Sequence, residues 1–573
     1  EMCIRDRLMG YQLSPGVTWS EIDLTTIVPS LSTTAGGFAG DFDWGPVNQI
    51  FTISNELDLV KWFGKPSSNT FTSFFTAANF LAYAQNLQLV RAADLTKANN
   101  ATSGSQPLVI QNKDQYELDY MNFQADANCG IVAARYPGDL GNGLTVSIFG
   151  SANSTAFAAW GGTSEYHSNF NGTPGTSNWT STRGGANDEM HIIVIDSLGK
   201  FSGVPNTVLE KFDYVSKASD AKNDDGSSNY FINVINDRSN FIYVINKPEA
   251  NWGNVAANVT FTANVSTWAL ANGTVGTPTD ADLETAYDLF NDIDAVDVSL
   301  LMTGAASKTV SKYVVDNIAE TRKDLVTFIS PAMNDVVNNA GTEAADVVDY
   351  LWTTSPFNPS SYAVFDSGWK KQFDKYNNVY RWVPLNGDIA GLCAYTDNTR
   401  DPWWSPAGLN RGLIKNVTQL SWSPNQTDRD TLYKNSVNPV VTMQGLGTVL
   451  YGDKTMTNKP SAFDRINVRR LFITLERSIS KAAKYSLFEF NDEFTRAQFV
   501  ALVEPFLRDV KGRRGIYDYK VVCDETNNTP EVIDSNRFVG DIYIKPARAI
   551  NFIQLNFVAV RTGVAFSEIV GKF

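Results

Sequence analysis

Histidine is almost missing: two residues, His167 and His191, in a chain of 573. Serine or cysteine hydrolysis by a triad needs an imidazole beside the nucleophile, and neither His sits in a local signature such as G-x-S-x-G. Cysteine is scarce too. Cys3, Cys129, Cys393 and Cys523 lie far apart and form no C-x-x-C, which argues against a zinc knuckle or redox pair and fits free thiols in a reducing compartment. Charged residues make up only 19%, and the 47 basic ones are outnumbered by 61 acidic ones, giving a net charge of −14 and a pI near 4.8. Phosphate neutralisation needs concentrated Lys and Arg, so this balance argues against a primary nucleic-acid binder. No run approaches the ~18 apolar residues of a membrane-crossing helix, so no direct membrane insertion is expected. The opening EMCIRDRLMG lacks the apolar core of a signal peptide. Residues 1–8 are read as a non-native leader, with Met9 as the start.

What is present is enough apolar material for several cores. Hydrophobic residues are 43% and aromatics 12%, the make-up of a folded, strand-rich chain rather than a disordered one. The expected class is α+β multidomain, and the chain divides into eight stretches. Residues 9–35 form an extended N-terminal arm in which Val17, Trp19 and Ile22 alternate with polar residues as in a strand. Residues 36–95 form the first part of a core, with Ser54 as a helix cap, Gly64 as its stop, a helix near Phe74–Asn86 and a buried strand Leu87–Ala92. Residues 96–200 are an inserted β domain and 201–280 a second inserted region. They are rich in Asn, Thr, Ser and Gly, with a strand and turn expected over His191–Lys200 and a strand at Phe231–Ile235. Residues 281–400 return to the core. The order strand (Val298–Met302), helix (Ser311–Glu320), strand (Leu325–Ile329) predicts a βαβ unit with neighbouring parallel strands. A hairpin of Tyr362–Trp369 with Val379–Val383 and a helix from Asn386 follow.

Residues 401–560 form a C-terminal helix–sheet domain. One helix is predicted over Phe463–Ser486, on an apolar face of Phe463, Ile466, Leu471, Leu475, Ile479 and Ala482 or Ala483. A second is predicted from a capping box at Thr495 and Gln498, carries the stripe Phe499, Leu502, Val503, Phe506, Leu507 and Val510, should kink at Pro505 and closes at Gly512. Strands are expected at Val539–Ile544 and Asn551–Val560. Residues 561–573 are a C-terminal arm, with Val564, Phe566, Ile569 and Phe573 seeking a sheet edge from outside. On the first helix Arg470, Arg477, Lys481 and Lys484 fall within about 60° at 100° per residue, a basic stripe suited to an acidic partner.

Three patterns imitate chemistry without meeting its spacing. Gly447–Thr455 has one residue too many before Lys454 for a phosphate-binding loop. Asp220, Asp224, Asp225 and Gly226 miss the ligand positions of a calcium loop. Asp292, Asp294 and Asp297 are ordinary in so acidic a chain. No catalytic residue, metal site or cofactor is expected.

Five segments carry a family likeness: SPGVTWSEIDLTTIVPS (Ser14–Ser30), GDFDWGPVNQ (Gly40–Gln49), ARYPGDLGNGLTVSI (Ala134–Ile148), TRKDLVTFISP (Thr321–Pro331) and NRFVGDIYIKPARAINFIQLNF (Asn536–Phe557). Together they resemble the sheath proteins of contractile phage tails, of the large myophage type. The resemblance implies an α/β sheath core with inserted outer domains and extended arms. It implies hexameric rings stacked helically around a tail tube, with each subunit lending its arms to neighbours. Contraction would then drive the tube through the host envelope. The implied partners are further copies of the chain, the tail tube protein, the baseplate and the tail terminator. The implied location is the virion tail, assembled in the host cytoplasm, with the basic stripe facing the tube. The alternatives are the sheath of a tailocin or extracellular injection system and, in another class, a tail-associated cell-wall or glycan hydrolase.

Overall fold

Residues 33–121, 127–551 and 554 are described by the structure, a computed structural model of the chain. Two compact units are present, Leu31–Glu476 and a second built on Arg477–Phe573. The first opens with β1 (Gly36–Asp41), β2 (Ile50–Ile53), α1 (Glu56–Phe63), α2 (Phe71–Leu81) and β3 (Leu87–Ala92). Helix α1 is capped by Asn55, one residue beyond the expected Ser54; its side-chain oxygen accepts from Asp58 N at 2.9 Å. Gly64 ends the helix at φ 81°, a conformation that costs glycine little. Helix α2 stops at Leu81, short of the expected Asn86, whose carbonyl already takes Gly36 N (2.9 Å) at the head of β1. Strand β3 spans the residues expected of it, and its one-to-one parallel register with β1 runs from Gly36↔Leu87 to Asp41↔Ala92.

An antiparallel insertion follows: β4 (Val132–Ala134), β5 (Leu144–Gly150), β6 (Glu189–Asp196), β7 (Thr207–Ser216), α3 (Phe231–Arg238), β8 (Ile242–Val244) and β9 (Asn264–Ala269). Four of these strands form a sheet in the order β7-β6-β5-β9, and β4 pairs with β8. Val146 and Ile192 share one apolar core with Phe212, Phe231, Ile235 and Trp252, so residues on both sides of 200 build a single body. The expected strand at Phe231–Ile235 is instead helix α3. Its buried positions 231, 232, 234 and 235 repeat with helical period. Asn236, one residue on, bonds Val244 in both directions, accepting from its N at 2.7 Å and donating to its O at 3.1 Å. A side chain thus supplies the pairing that a strand would have offered β8.

The chain then returns through β10 (Leu300–Met302), α4 (Lys308–Tyr313, continued by a π turn over Val314–Ala319), β11 (Val326–Ile329) and β12 (Ala363–Asp366). Strands β10 and β11 pair in parallel across this helix, the βαβ unit expected. Next come β13 (Trp369–Asp374), β14 (Val379–Pro384), α5 (Asn386–Thr399), β15 (Gln419–Leu420), β16 (Val437–Asn438), β17 (Val440–Met443), β18 (Gly447–Leu450) and α6 (Ile466–Ala483). The main sheet has seven strands in the order β16-β12-β11-β10-β1-β3-β2, all parallel except the β2–β3 pair. Its near-continuous apolar strands and flanking helices fit a sheet covered on both faces. The expected hairpin is shifted. Residues 363–366 belong to the parallel sheet, and β14 pairs with Trp369–Asp374. Asp366 accepts from Gly368 N at 2.9 Å, and this turn splits one alternating run into two strands.

The second unit contains α7 (Glu493–Gly512), β19 (Ile516–Val522) and β20 (Asp541–Pro546). Helix α7 starts a turn before the expected Thr495. Asp492 is its cap, accepting from Thr495 N at 2.8 Å, and the helix runs on through Pro505. Phe499, Val503, Leu507 and Val510 are buried, as the stripe required. Strand β20 covers Asp541–Pro546 rather than Val539–Ile544, because its antiparallel partner β19 sets the register from Val522↔Asp541 to Ile516↔Pro546. The expected strand Asn551–Val560 falls almost wholly outside the described residues.

Candidate inter-subunit surface

In the second unit the β19–β20 ribbon lies beside α7. Tyr519 donates from its hydroxyl to Glu504 O at 3.3 Å, and Phe499 meets Phe538 edge-on at 5.4 Å. Among the described residues each strand pairs only with the other. Among those residues neither outer edge has a strand partner, and Tyr517 and Tyr543 are exposed. A two-stranded ribbon is marginal by itself, and an open edge is a template for another strand.

The link from α6 to α7 carries a second feature. Tyr485, Leu487, Phe488, Phe490 and Phe494 are all exposed, and Phe488 adopts φ 70°. A run of large apolar residues left in water marks an interaction site. The sequence signal for it was LFEF (Leu487–Phe490) standing between two helices and in step with neither.

The expected basic stripe divides. Lys481 and Lys484 are exposed and Arg477 is half-buried. Arg470 is buried and does not belong with them: it pairs with Asp397, the Nη1 donates to Cys393 O at 3.3 Å, and both charged side chains are nearly inaccessible. Burial pushes the Asp397 carboxyl up, and Arg470 opposes the rise. Helical angle alone grouped Arg470 with the lysines; α5, which supplies Asp397, covers that turn of α6. The preceding Arg469 is buried as well, over the rings of Phe463 (3.8 Å) and Tyr362 (4.3 Å). Val17, Trp19, Ile22, Val564, Phe566, Ile569 and Phe573 lie outside the described residues.

The residues that imitated chemistry have structural duties. His191 is buried; its Nε2 bonds Gly172 O at 2.8 Å, its Nδ1 accepts from Tyr214 N at 3.2 Å, and its ring stacks on Phe170 at 4.3 Å. Burial holds its pKa below the usual imidazole value. His167 meets Phe157 edge-on at 6.1 Å. Gly447–Leu450 is a strand of the β17–β18 hairpin, and Lys454 Nζ donates to Tyr433 O. Asp220 accepts from Ala256 N (2.7 Å), joining two distant loops, while Asp225 accepts from Ser227 N (2.9 Å) and closes its own turn. Asp292 accepts from Asp294 N at 2.9 Å. Among the described residues no group of three His, Cys, Asp or Glu side chains could hold a metal ion, and no helix is long and apolar enough to cross a membrane.

Comparison with known proteins bears on what this surface is for. The phage tail sheath C-terminal domain matches residues 458–559, the phage tail sheath protein central domain 276–456, and the tail sheath protein Gp18 domain III N-terminal region 34–92. The tail sheath protein of Vibrio phage KVP40 is 34% identical over 687 aligned residues, covering 98% of this chain and 100% of the relative. That of Enterobacteria phage T4 is 34% identical, covering 98% and 99%. A crystal structure of the sheath tail protein of Listeria innocua shares the fold at a TM-score of 0.51 and 11% identity, over 90% of this chain and 96% of that one. The chain belongs to the phage tail sheath protein family.

Proposed function

We propose that this protein is the structural subunit of a contractile phage tail sheath, with no catalytic role. It polymerises as hexameric rings stacked helically around the tail tube and contracts to drive the tube through the host envelope. The observation that carries the reading is the β19–β20 ribbon, whose outer edges have no strand partner among the described residues, in a family whose relatives match along nearly their whole length. Terminal arms of neighbouring copies, residues 9–35 and 561–573, complete those edges by strand addition. A head-to-tail contact of this kind need not close on itself and makes a helical polymer. The exposed aromatic link with Lys481 and Lys484 is the surface offered to the tail tube. Further partners are the baseplate and the tail terminator, the location is the virion tail, and assembly takes place in the host cytoplasm. Contraction needs no nucleotide in this scheme: the extended sheath is a kinetically trapped state, and rigid bodies repack while the arms hold the copies together.

Deletion of residues 9–28, or truncation after Val560, leaves a folded monomer that forms no tubes in electron micrographs. Tubes from either variant overturn the arm mechanism. Arg477 and Lys481 changed together to Glu lower the yield of sheath on tubes more than they lower the melting temperature; an unchanged yield removes the tube-facing role.

A further inference from the structure

Beyond the C-terminal end of α5, one indole ring is shared by two cations. The guanidinium carbon of Arg400 lies 5.8 Å from the centre of the Trp404 ring, and that of Arg411 lies 5.2 Å from it. Arg411 is half-buried, with Nε donating to Ser405 O at 2.9 Å. Among the described residues neither guanidinium has a carboxylate within ion-pair distance. They stand so in a chain in which acids exceed bases by 14. Some arginines of the core take an acid, as Arg322 does with Asp324 (2.8 Å) and Arg465 with Asp453 (3.1 Å), while Arg91 and Arg135 are held by backbone carbonyls.

The last turn of α5 provides a favourable field for Arg400, because helix C-termini attract cations. Arg411 receives one backbone carbonyl and, from Arg400, repulsion. Burial and that neighbour hold its pKa below the ordinary arginine value. Two guanidinium groups within 6 Å of one ring bring their N–H donors to one place on the surface, and a guanidinium is a planar fork that grips a carboxylate on two points. Stacking on Trp404 removes much of the rotamer freedom that binding would otherwise cost.

We propose that Arg400 and Arg411, held on Trp404, form a receptor for an acidic side chain of a second copy of this chain. The occupant follows from charge. A copy carries 61 carboxylates and a net charge of −14, so copies repel at long range and need specific cationic points at which to register. The receptor supplies one, fixing orientation as interfacial charge pairs do. This inference rests on the sheath reading for its assembled context but not for its chemistry.

The test compares the full-length protein with an Arg400→Gln/Arg411→Gln double variant. The variant keeps the melting temperature and circular dichroism of the parent. Its critical concentration for tube formation rises at least about tenfold at ~0.05 M salt, and the gap narrows at ~0.5 M as screening removes the contact from both proteins. Equal critical concentrations at low salt overturn the proposal. An Arg400→Lys/Arg411→Lys variant guards against a folding defect: it keeps both charges and falls between the two. A second arm needs no polymer. A photo-reactive amino acid replaces Asn410, exposed beside Arg411, in a mixture of isotopically light and heavy copies. Mixed-isotope cross-links to peptides containing Asp or Glu support the receptor. Cross-links confined to one copy, to added nucleic acid or to tail tube protein overturn it. Failure of the parent to form tubes removes the sheath reading alone, and the cross-links still decide the receptor.

Discussion

Asp366 ends β12 with both carboxylate oxygens engaged: Oδ2 accepts from Ser330 Oγ at 2.6 Å and Oδ1 from Gly368 N at 2.9 Å. Burial pushes its carboxyl up to about 8, and nearby Asp388 adds to the rise. Near neutral pH the folded protein therefore holds a proton that the unfolded chain, with a pKa near 3.9, has released. A carboxyl raised in the folded state gives its full stabilisation below the unfolded pKa. That contribution is lost as pH climbs from about 4 towards 8, at up to about 1.4 kcal/mol per pH unit. Asp366→Asn keeps a neutral side chain of the same shape, so the parent should lose stability relative to the variant between pH 5 and 8 and run parallel above. Denaturant titrations at each pH measure the difference, in which other buried acids such as Asp41, raised to about 7, cancel. Curves parallel throughout would show that Asp366 is ionised in the fold. None of this was legible in the sequence, where Asp366 is one acid among 61. Its surroundings come from the ends of separate strands and the start of α5. Arg470 teaches the same lesson in reverse. Its angle on α6 was readable, but Asp397, which neutralises it, lies 73 residues away.

At the scale of the element, the crossing of α2 and α5 depends on two glycines. A Cβ on Gly387 would stand 2.5 Å from Thr76 O, and one on Gly391 would stand 2.5 Å from Tyr83 Cδ2. Tyr83 cannot yield, since its hydroxyl donates to Asp388 Oδ1 (3.1 Å) and accepts from Lys415 N (2.7 Å). Asp388 is in turn paired with Lys370 Nζ at 2.8 Å, and both side chains are buried. Gly387→Ala forces backbone apart, and the strain exceeds any gain in helix propensity. We expect a loss of about 1–3 kcal/mol. Gly512, in the last turn of α7, has nothing within 4 Å of an added Cβ, and Gly512→Ala should be neutral or stabilising by up to about 1 kcal/mol. Calorimetry of the two variants gives both signs, and equal losses would sink the packing argument. Elements with one dominant period were readable: β3, the pair β10–β11 with its intervening helix, and the stripe of α7. Those with competing signals were not. Thr495 and Gln498 imitate a capping box, yet Asp492 caps the helix a turn earlier. The β-branched Phe231–Ile235 run reads as strand until Asn236 is seen occupying the edge of β8.

For the whole molecule, the insertion enters and leaves the core at one point. Asp94 N donates to Gly276 O at 3.1 Å, and Asn99 and Thr274 exchange backbone bonds at 3.1 and 3.0 Å. The family matches stop at 92 and resume at 276, so the segment between them is set apart by sequence as well as by space. The composition shift near residue 96 announced this insertion, but only the shared core shows that it is one body. Three sets of contacts tie that body to the core: Trp44 meets Tyr136 at 5.5 Å and Phe201 at 5.0 Å, Arg91 Nη2 donates to Pro137 O at 2.9 Å, and Val47 donates from N to Gln111 O at 2.9 Å and accepts at O from Asn112 Nδ2 at 3.1 Å. Cutting out residues 96–275 therefore exposes one indole, hands the Val47 backbone N and O to water, and leaves Arg91 with its bond to Gly45 O (2.9 Å). It removes no strand of the seven-stranded sheet. Replacing the segment by a three-residue Gly-Ser-Gly bridge, with Trp44→Gln to remove the exposed ring, should give a core that unfolds cooperatively a few degrees below the parent. The shorter loop costs less entropy to close than the long one it replaces. The variant should also form tubes, of smaller outer diameter, because the proposed strand exchange and tube contact lie elsewhere in the chain. A molten or aggregated product would show that the sheet needs the insertion to fold. A well-folded product that forms no tubes would place assembly contacts in the insertion and move the interface away from β19 and β20.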